Sequence, residues 1–266
     1  MKRSLRLRAA LLPVLLAACV AAGPALAAPA APDSTTAAPV RHPPLLGLDD
    51  LGLAMFTGVS LVILGQADRH VSEHVSATQS SFAHDLGRFG EKFGNPVYSL
   101  PLLGVAWAAG RLGHRPGLSA SALRITGGMA TAAALGIGAK IVAGRWRPYE
   151  SPDDPGRFEP FSSHSAFPSG HTTIAFSLAA GLDRETHAAW VPCIAYPAAA
   201  ITAWSRVHDQ KHWPTDVVAG AVLGVWASDR FDRIVRQHGA RRTSLEFAPM
   251  TDPSTGALAL GAALRF

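Results

Sequence analysis

Lys140-x6-Arg147-Pro148, Pro168-Ser169-Gly170-His171 and Ser205-Arg206-x5-His212-x3-Asp216 follow one another in the second half of the chain. Together they supply three cations, two imidazoles, a carboxylate and a Ser-Gly turn ahead of an apolar stretch. That inventory suits phosphoryl transfer. Fixed positive charge holds the phosphate oxygens, an imidazole attacks phosphorus, and a further group protonates the leaving oxygen. Lys140, Arg147 and Arg206 are the cations that would surround the equatorial oxygens, and an arginine fork can hold two oxygens at once. Ser169 and Gly170 add a hydroxyl and unhindered backbone N–H groups at a helix start, where the helix dipole favours an anion. Each cation taken alone reads as a solvated surface charge. The joint spacing with the two histidine motifs gives the chemical reading.

These three motifs are similar to the signature of the type-2 phosphatidic acid phosphatase and vanadium haloperoxidase superfamily, bacterial exported phosphatases included, and every signature position is filled. The resemblance implies that His212 is the nucleophile and forms a phosphohistidine, with Asp216 accepting its other ring N–H. It implies that His171 protonates the leaving alcohol and then activates water. The implied enzyme is a metal-independent phosphatase acting on lipid or small organic phosphate monoesters or pyrophosphates. It has no cofactor, and vanadate is expected to bind as an inhibitor. The superfamily's haloperoxidases hold vanadate with the same residues but are generally much longer than this chain, which favours the phosphatase. A non-catalytic envelope protein is disfavoured by the intact site.

Two other patterns compete. His70-Val71-Ser72-Glu73-His74 matches the H-x-x-E-H zinc-peptidase pattern, yet the segment is polar throughout and reads as a solvated helix face. Phe167 occupies the first glycine position of a G-x-S-x-G elbow around Ser169, so a serine-hydrolase reading fails. His164, His208 and Lys211 lie near the motifs and have no assigned role.

The elements that must position these groups read as an all-α bundle of about six core helices with a short C-terminal β-hairpin. Apolar segments run over Leu51–Gly65, Pro96–Gly110, Leu123–Val142, His171–Leu182, Ala189–Trp204 and Asp216–Ser228, and their length and Ala content favour helices. The polar stretch Ala67–Asn95 reads as an amphipathic surface helix. The third apolar helix must end before Pro148. If it runs that far, Lys140 and Arg147 project from one face while Arg145 points elsewhere. Pro214 opens the last helix in a favoured position. Ser244–Phe247 and Ala257–Phe266 flank a turn sequence and predict a hairpin docked on its own domain, since two strands cannot close a membrane barrel.

The 266 residues, 48% of them hydrophobic, suffice for one core plus appendages. Lys2, Arg3, Arg6 and Arg8 carry four of the net +5, which leaves no basic stripe for a nucleic acid. Residues 1–27 read as a signal peptide, basic then apolar, with Ala25-Leu26-Ala27 as cleavage site. Leu16-Ala17-Ala18-Cys19 offers a lipoprotein alternative. Residues 28–44 read as a disordered linker, 45–242 as the phosphatase domain and 243–266 as the hairpin tail. Several apolar segments fall short of the about 20 residues that span a bilayer. The chain is therefore expected in the periplasm or envelope membrane with its site facing the periplasm, the membrane surface being a candidate partner. Oligomeric state is not legible.

Overall fold

Proline and small polar residues set most of the helix starts in this computed structural model, which describes residues 47–239, 244–251 and 258–265. The described helices are α1 (Leu48–Gly65), α2 (Asp68–Ser76), α3 (Ser81–Phe93), α4 (Pro96–Leu112), α5 (Pro116–Ala143), α6 (Gly170–Thr186), α7 (Trp190–His208) and α8 (Pro214–Gly239). Pro96, Pro116 and Pro214 stand in the first turns of α4, α5 and α8, where a missing N–H costs no hydrogen bond. Asn95 caps α4 by accepting from Val97 N at 3.0 Å. The expected leader, Cys19 and the linker lie outside the described residues.

Eight helices are described where about six core helices were expected. The segment Ala67–Asn95 is not one helix: it breaks after Ser76, and Ser80 caps a second helix by accepting from Ala83 N at 3.1 Å. The chain divides into two compact units, residues 1–231 and 232–266. In the second unit, β1 (Ser244–Thr251) pairs antiparallel with β2 (Leu258–Arg265), Ser244 opposite Arg265. The turn between them lies outside the described residues.

Two apolar clusters build the first unit. Phe176, Ala199, Trp204, Val207 and Val217 join α6, α7 and α8, with Val75 of α2 and Ala83 of α3 packed in. Leu103, Ile125, Met129, Ile174 and Leu178 join α4, α5 and α6. Small residues let the helices close up. A Cβ at Gly224 of α8 would stand 2.3 Å from Thr173 O, and one at Gly220 would stand 2.7 Å from Ser169 O. The N-terminal halves of α6 and α8 are thus held backbone to backbone.

α1 contributes no buried residue; Phe56, Val59, Val62 and Ile63 are exposed, and Asp50 ties it to Trp226 and Arg230 of α8. Among the described residues, α1 and α5 are long and apolar enough to cross a membrane.

Candidate active site

The expectation that one helix carries both Lys140 and Arg147 is corrected. α5 stops at Ala143, where Gly144 takes a left-handed conformation (φ 55°) and its N–H returns to Lys140 O at 2.9 Å. A Cβ at residue 144 would meet Glu159 O at 1.7 Å, so only glycine lets the chain turn there. Arg147 therefore comes from the loop between α5 and α6, which is pinned to itself by an Arg145–Phe158 bridge.

Lys140 stays on the last turn of α5. Its Nζ donates to Ser165 O at 2.5 Å and to Pro168 O at 2.7 Å, so two of three ammonium hydrogens hold the loop that leads into α6. Arg147 Nη2 donates to Ser165 Oγ at 3.3 Å. Ser169, the residue before α6, is fully buried: its N–H donates to Asp216 O at 2.9 Å and its hydroxyl accepts from Thr172 Oγ1 at 3.0 Å. The Cβ position of Gly170 is 3.7 Å from Lys140 Cε, so glycine keeps open the space beside that cation.

Arg206, on the last turn of α7, is buried and held by Asp209 at 3.2 Å and Glu91 at 4.0 Å. Its carbonyl accepts from Lys211 N and His212 N, folding the 209–213 loop back over the helix end. His212 is buried, and its Nδ1 lies 2.7 Å from Ala166 O against 3.7 Å from Asp216 Oδ2. The nearer acceptor, the carbonyl, fixes Nδ1 as the protonated nitrogen and leaves Nε2 with its lone pair.

The histidines share one field. Burial chiefly lowers His171, to about 4, and Arg206, His212, Lys140 and Arg147 lower it further. Burial also lowers His212; Asp216 pulls the other way, while Lys140 and Arg147 reinforce the shift. Both rings thus stand neutral among cations, the electrostatic setting of an anion site. A cavity of about 200 Å³ opens beside Lys140, Gly170 and His171 and runs between Ala133, Ile137 and Ile174.

Arg145, expected to point elsewhere, is buried behind Asp216. Its Nη1 donates to Asp216 Oδ1 at 2.6 Å and Thr215 Oγ1 at 2.7 Å, and its Nη2 to Asp68 Oδ2 at 2.7 Å. Sequence reading missed this pair. Its one local signal was a second arginine two residues before Arg147.

The residues without an assigned role have partners of their own. His164 stacks on Trp146 with ring centroids 3.6 Å apart, and the Arg157 guanidinium lies over the same Trp146 ring, 3.7 Å from its centroid. His208 bonds Thr78 O at 3.0 Å, and Lys211 stands 5.9 Å from the Tyr149 ring. Glu73 of the zinc-peptidase pattern is taken up by Arg69 in an exposed pair at 2.9 Å.

Known proteins are similar to this chain in sequence and in fold. The chain is 34% identical over 94 residues to the undecaprenyl-diphosphatase of Sulfolobus acidocaldarius, covering 35% of this chain and 45% of that protein. It is 33% identical over 84 residues to the lipid A 1-phosphatase of Porphyromonas gingivalis, covering 28% of this chain and 19% of that one. The matches thus span less than half the length of these curated relatives. In fold it is similar to the transmembrane PAP2 type phosphatidylglycerolphosphate phosphatase from Bacillus subtilis, with TM-score 0.56 and 23% identity over 72% of this chain and 97% of that one. Residues 121–229 match the PAP2 superfamily, a span that begins within α5 and takes in every one of the motif residues described above. The chain carries a PAP2 superfamily domain.

Proposed function

We propose that this protein is a metal-independent phosphatase that cleaves phosphate monoesters or pyrophosphates of lipids through a phosphohistidine at His212. One observation carries the reading: Lys140 donates to Ser165 O and Pro168 O, Arg147 donates to Ser165 Oγ, and Ser169 N–H donates to Asp216 O at 2.9 Å, so the cations and both histidine motifs converge on the start of α6. In this mechanism His212 Nε2 attacks phosphorus in line with the leaving oxygen, and His171 gives that oxygen its proton. His171 then takes a proton from water, which displaces phosphate from His212. Lys140, Arg147 and Arg206, with the Ser169 hydroxyl and the N–H groups at the start of α6, neutralise the equatorial oxygens.

Free His171 is too acidic to hold a proton at neutral pH. A bound phosphate dianion offsets the surrounding cations and raises it, so substrate itself arms the acid. The lipid phosphates on which the similar phosphatases act point to a lipid phosphate here, and the apolar cavity beside His171 gives room for part of an apolar substituent. The apolar surface of α1 favours work at a membrane, and the leader-like sequence of residues 1–27 favours export.

The test is rapid quenching with phosphate-labelled substrate. An acid-labile, base-stable phosphoprotein is expected from the unaltered enzyme and none from His212→Ala. Full turnover by His212→Ala would end the proposal.

A further inference from the structure

Asp68 is fully buried at the first turn of α2, 147 residues in sequence from Thr215, whose backbone N–H it accepts at 2.9 Å. It lies outside residues 121–229, and the phosphoryl chemistry above makes no use of it. Its Oδ2 also accepts from Thr215 Oγ1 at 2.5 Å and from Arg145 Nη2 at 2.7 Å. Every one of these neighbours donates to it, the pattern of an ionised carboxylate. Burial raises the Asp68 carboxyl, while Thr215 and Arg145 pull against that shift.

Arg145 is saturated. Its Nε–H goes to Pro155 O at 3.0 Å, Nη1 serves Thr215 Oγ1 and Asp216, and Nη2 serves Asp68 and Pro155 O at 2.6 Å. One guanidinium therefore spans two buried carboxylates. The Asp216 carboxylate at its far end is the charge that favours a protonated His212, against burial, Lys140 and Arg147. Were Arg145 paired with Asp216 alone, the two charges would cancel and that support would be lost. A second carboxylate on the same guanidinium leaves the triad net negative.

We infer that Asp68 and Arg145 are positioning residues of this phosphatase: Asp68 draws on the Arg145 guanidinium so that Asp216 remains anionic toward His212, and the triad fixes the turn that carries both. α2 also grips that loop through Gln210, which donates to Ser72 O at 3.1 Å, and α3's approach is held by His208 on Thr78 O. The inference rests on His212 being the nucleophile. Groups that face His212 are Lys140 from α5, Arg147 from the following loop, His171 from α6 and Asp216 from α8.

The experiment uses the full chain in detergent with p-nitrophenyl phosphate, reading kcat against pH. The acid limb of kcat reports His212 losing its lone pair to a proton. Asp68→Asn removes a negative charge, so imidazolium becomes costlier and the limb moves to lower pH by about one unit. kcat falls at least tenfold with little change in KM, because the phosphoimidazolium loses the same support. Asp68→Asn with Arg145→Gln removes both charges, leaves Asp216 alone and returns the limb to its unaltered position. A purely structural pair gives no such return. An unmoved limb in Asp68→Asn, or a double variant that keeps the single variant's limb, overturns the inference. Should Asp68→Asn fail to fold, the double variant decides: turnover with an unmoved limb supports the triad, and a folded double variant with no turnover refutes it. Unaltered protein without turnover would instead count against the phosphatase reading itself.

Discussion

The His212 Nδ1 is 1.0 Å nearer to the Ala166 carbonyl oxygen, at 2.7 Å, than to Asp216 Oδ2, at 3.7 Å. The backbone carbonyl is therefore the nearer acceptor for Nδ1–H, with the Asp216 carboxylate standing second to it. Its Oδ2 also accepts from Trp213 N at 2.8 Å while Oδ1 takes Arg145. Asp216→Asn would leave Arg145 paired with Asp68 but weaken its buried charge-assisted hydrogen bond to residue 216, a defect of about 3 kcal/mol. A fall in Tm of about 10 °C is expected for this size of protein, together with a drop in kcat larger than the change in KM. A melt coincident with the unaltered protein would assign the triad no structural weight.

The pH response has a definite sign. Free His171 titrates at about 4 because burial and the cations penalise its charged form. Bound phosphate opposes those cations, so the alkaline limb of kcat should lie at higher pH than that of kcat/KM, the one reporting the complex and the other the free enzyme. Coincident limbs in the two profiles would separate His171 from leaving-group protonation. The same lowered value makes the folded state bind fewer protons than the unfolded one between pH 6.5 and about 4. Stability contributed by keeping the ring neutral is therefore lost as pH falls through that window, and melts across it should show the decline.

Cations standing where other phosphatases place metals lead to a ligand prediction. Activity should persist in excess EDTA, and orthovanadate should inhibit competitively and raise Tm, as a ligand of the folded state does. Inactivation by EDTA that zinc reverses would redirect attention to His70, Glu73 and His74. Vanadate-dependent bromide oxidation with peroxide would favour the haloperoxidase reading.

Gly224→Ala tests the approach of α8 to α6. Its Cβ would fall 2.3 Å from Thr173 O, and a backbone atom cannot swing aside. Overpacking of this kind costs about 1–3 kcal/mol. Because the same contact sets the distance between Ser169 and Asp216, kcat should fall as well, by at least tenfold. Gly138→Ala, where no atom lies within 4 Å, is the control and should leave both unchanged.

Motif spacing and the resemblance it carries singled out Lys140, Arg147, Ser169, Gly170, His171, Arg206, His212 and Asp216, and these residues lie on loops and helix ends around the starts of α6 and α8. Apolar length also gave most helices. Three things escaped. Arg147 leaves the helix because Gly144 turns the chain, and an isolated glycine in an apolar run carries no statement of its handedness. Ala166 matters through its carbonyl, which no side chain advertises. Asp68 meets Thr215 across 147 residues, a pairing set by packing of α2 on the catalytic loop rather than by any local pattern.

The bond from Ser169 N–H to Asp216 O welds the start of α6 to the start of α8, with Gly220 and Gly224 continuing the contact. The far end of α6 is another matter. It lies 17 residues on, about 25 Å along the axis, where His187 turns the chain and residues 188–189 lead into α7. Inserted sequence at that corner has no path through the weld to the reacting groups. An affinity tag or a small fluorescent module spliced between residues 187 and 189 should leave the enzyme working, which makes this corner the natural handle for capturing or watching the protein.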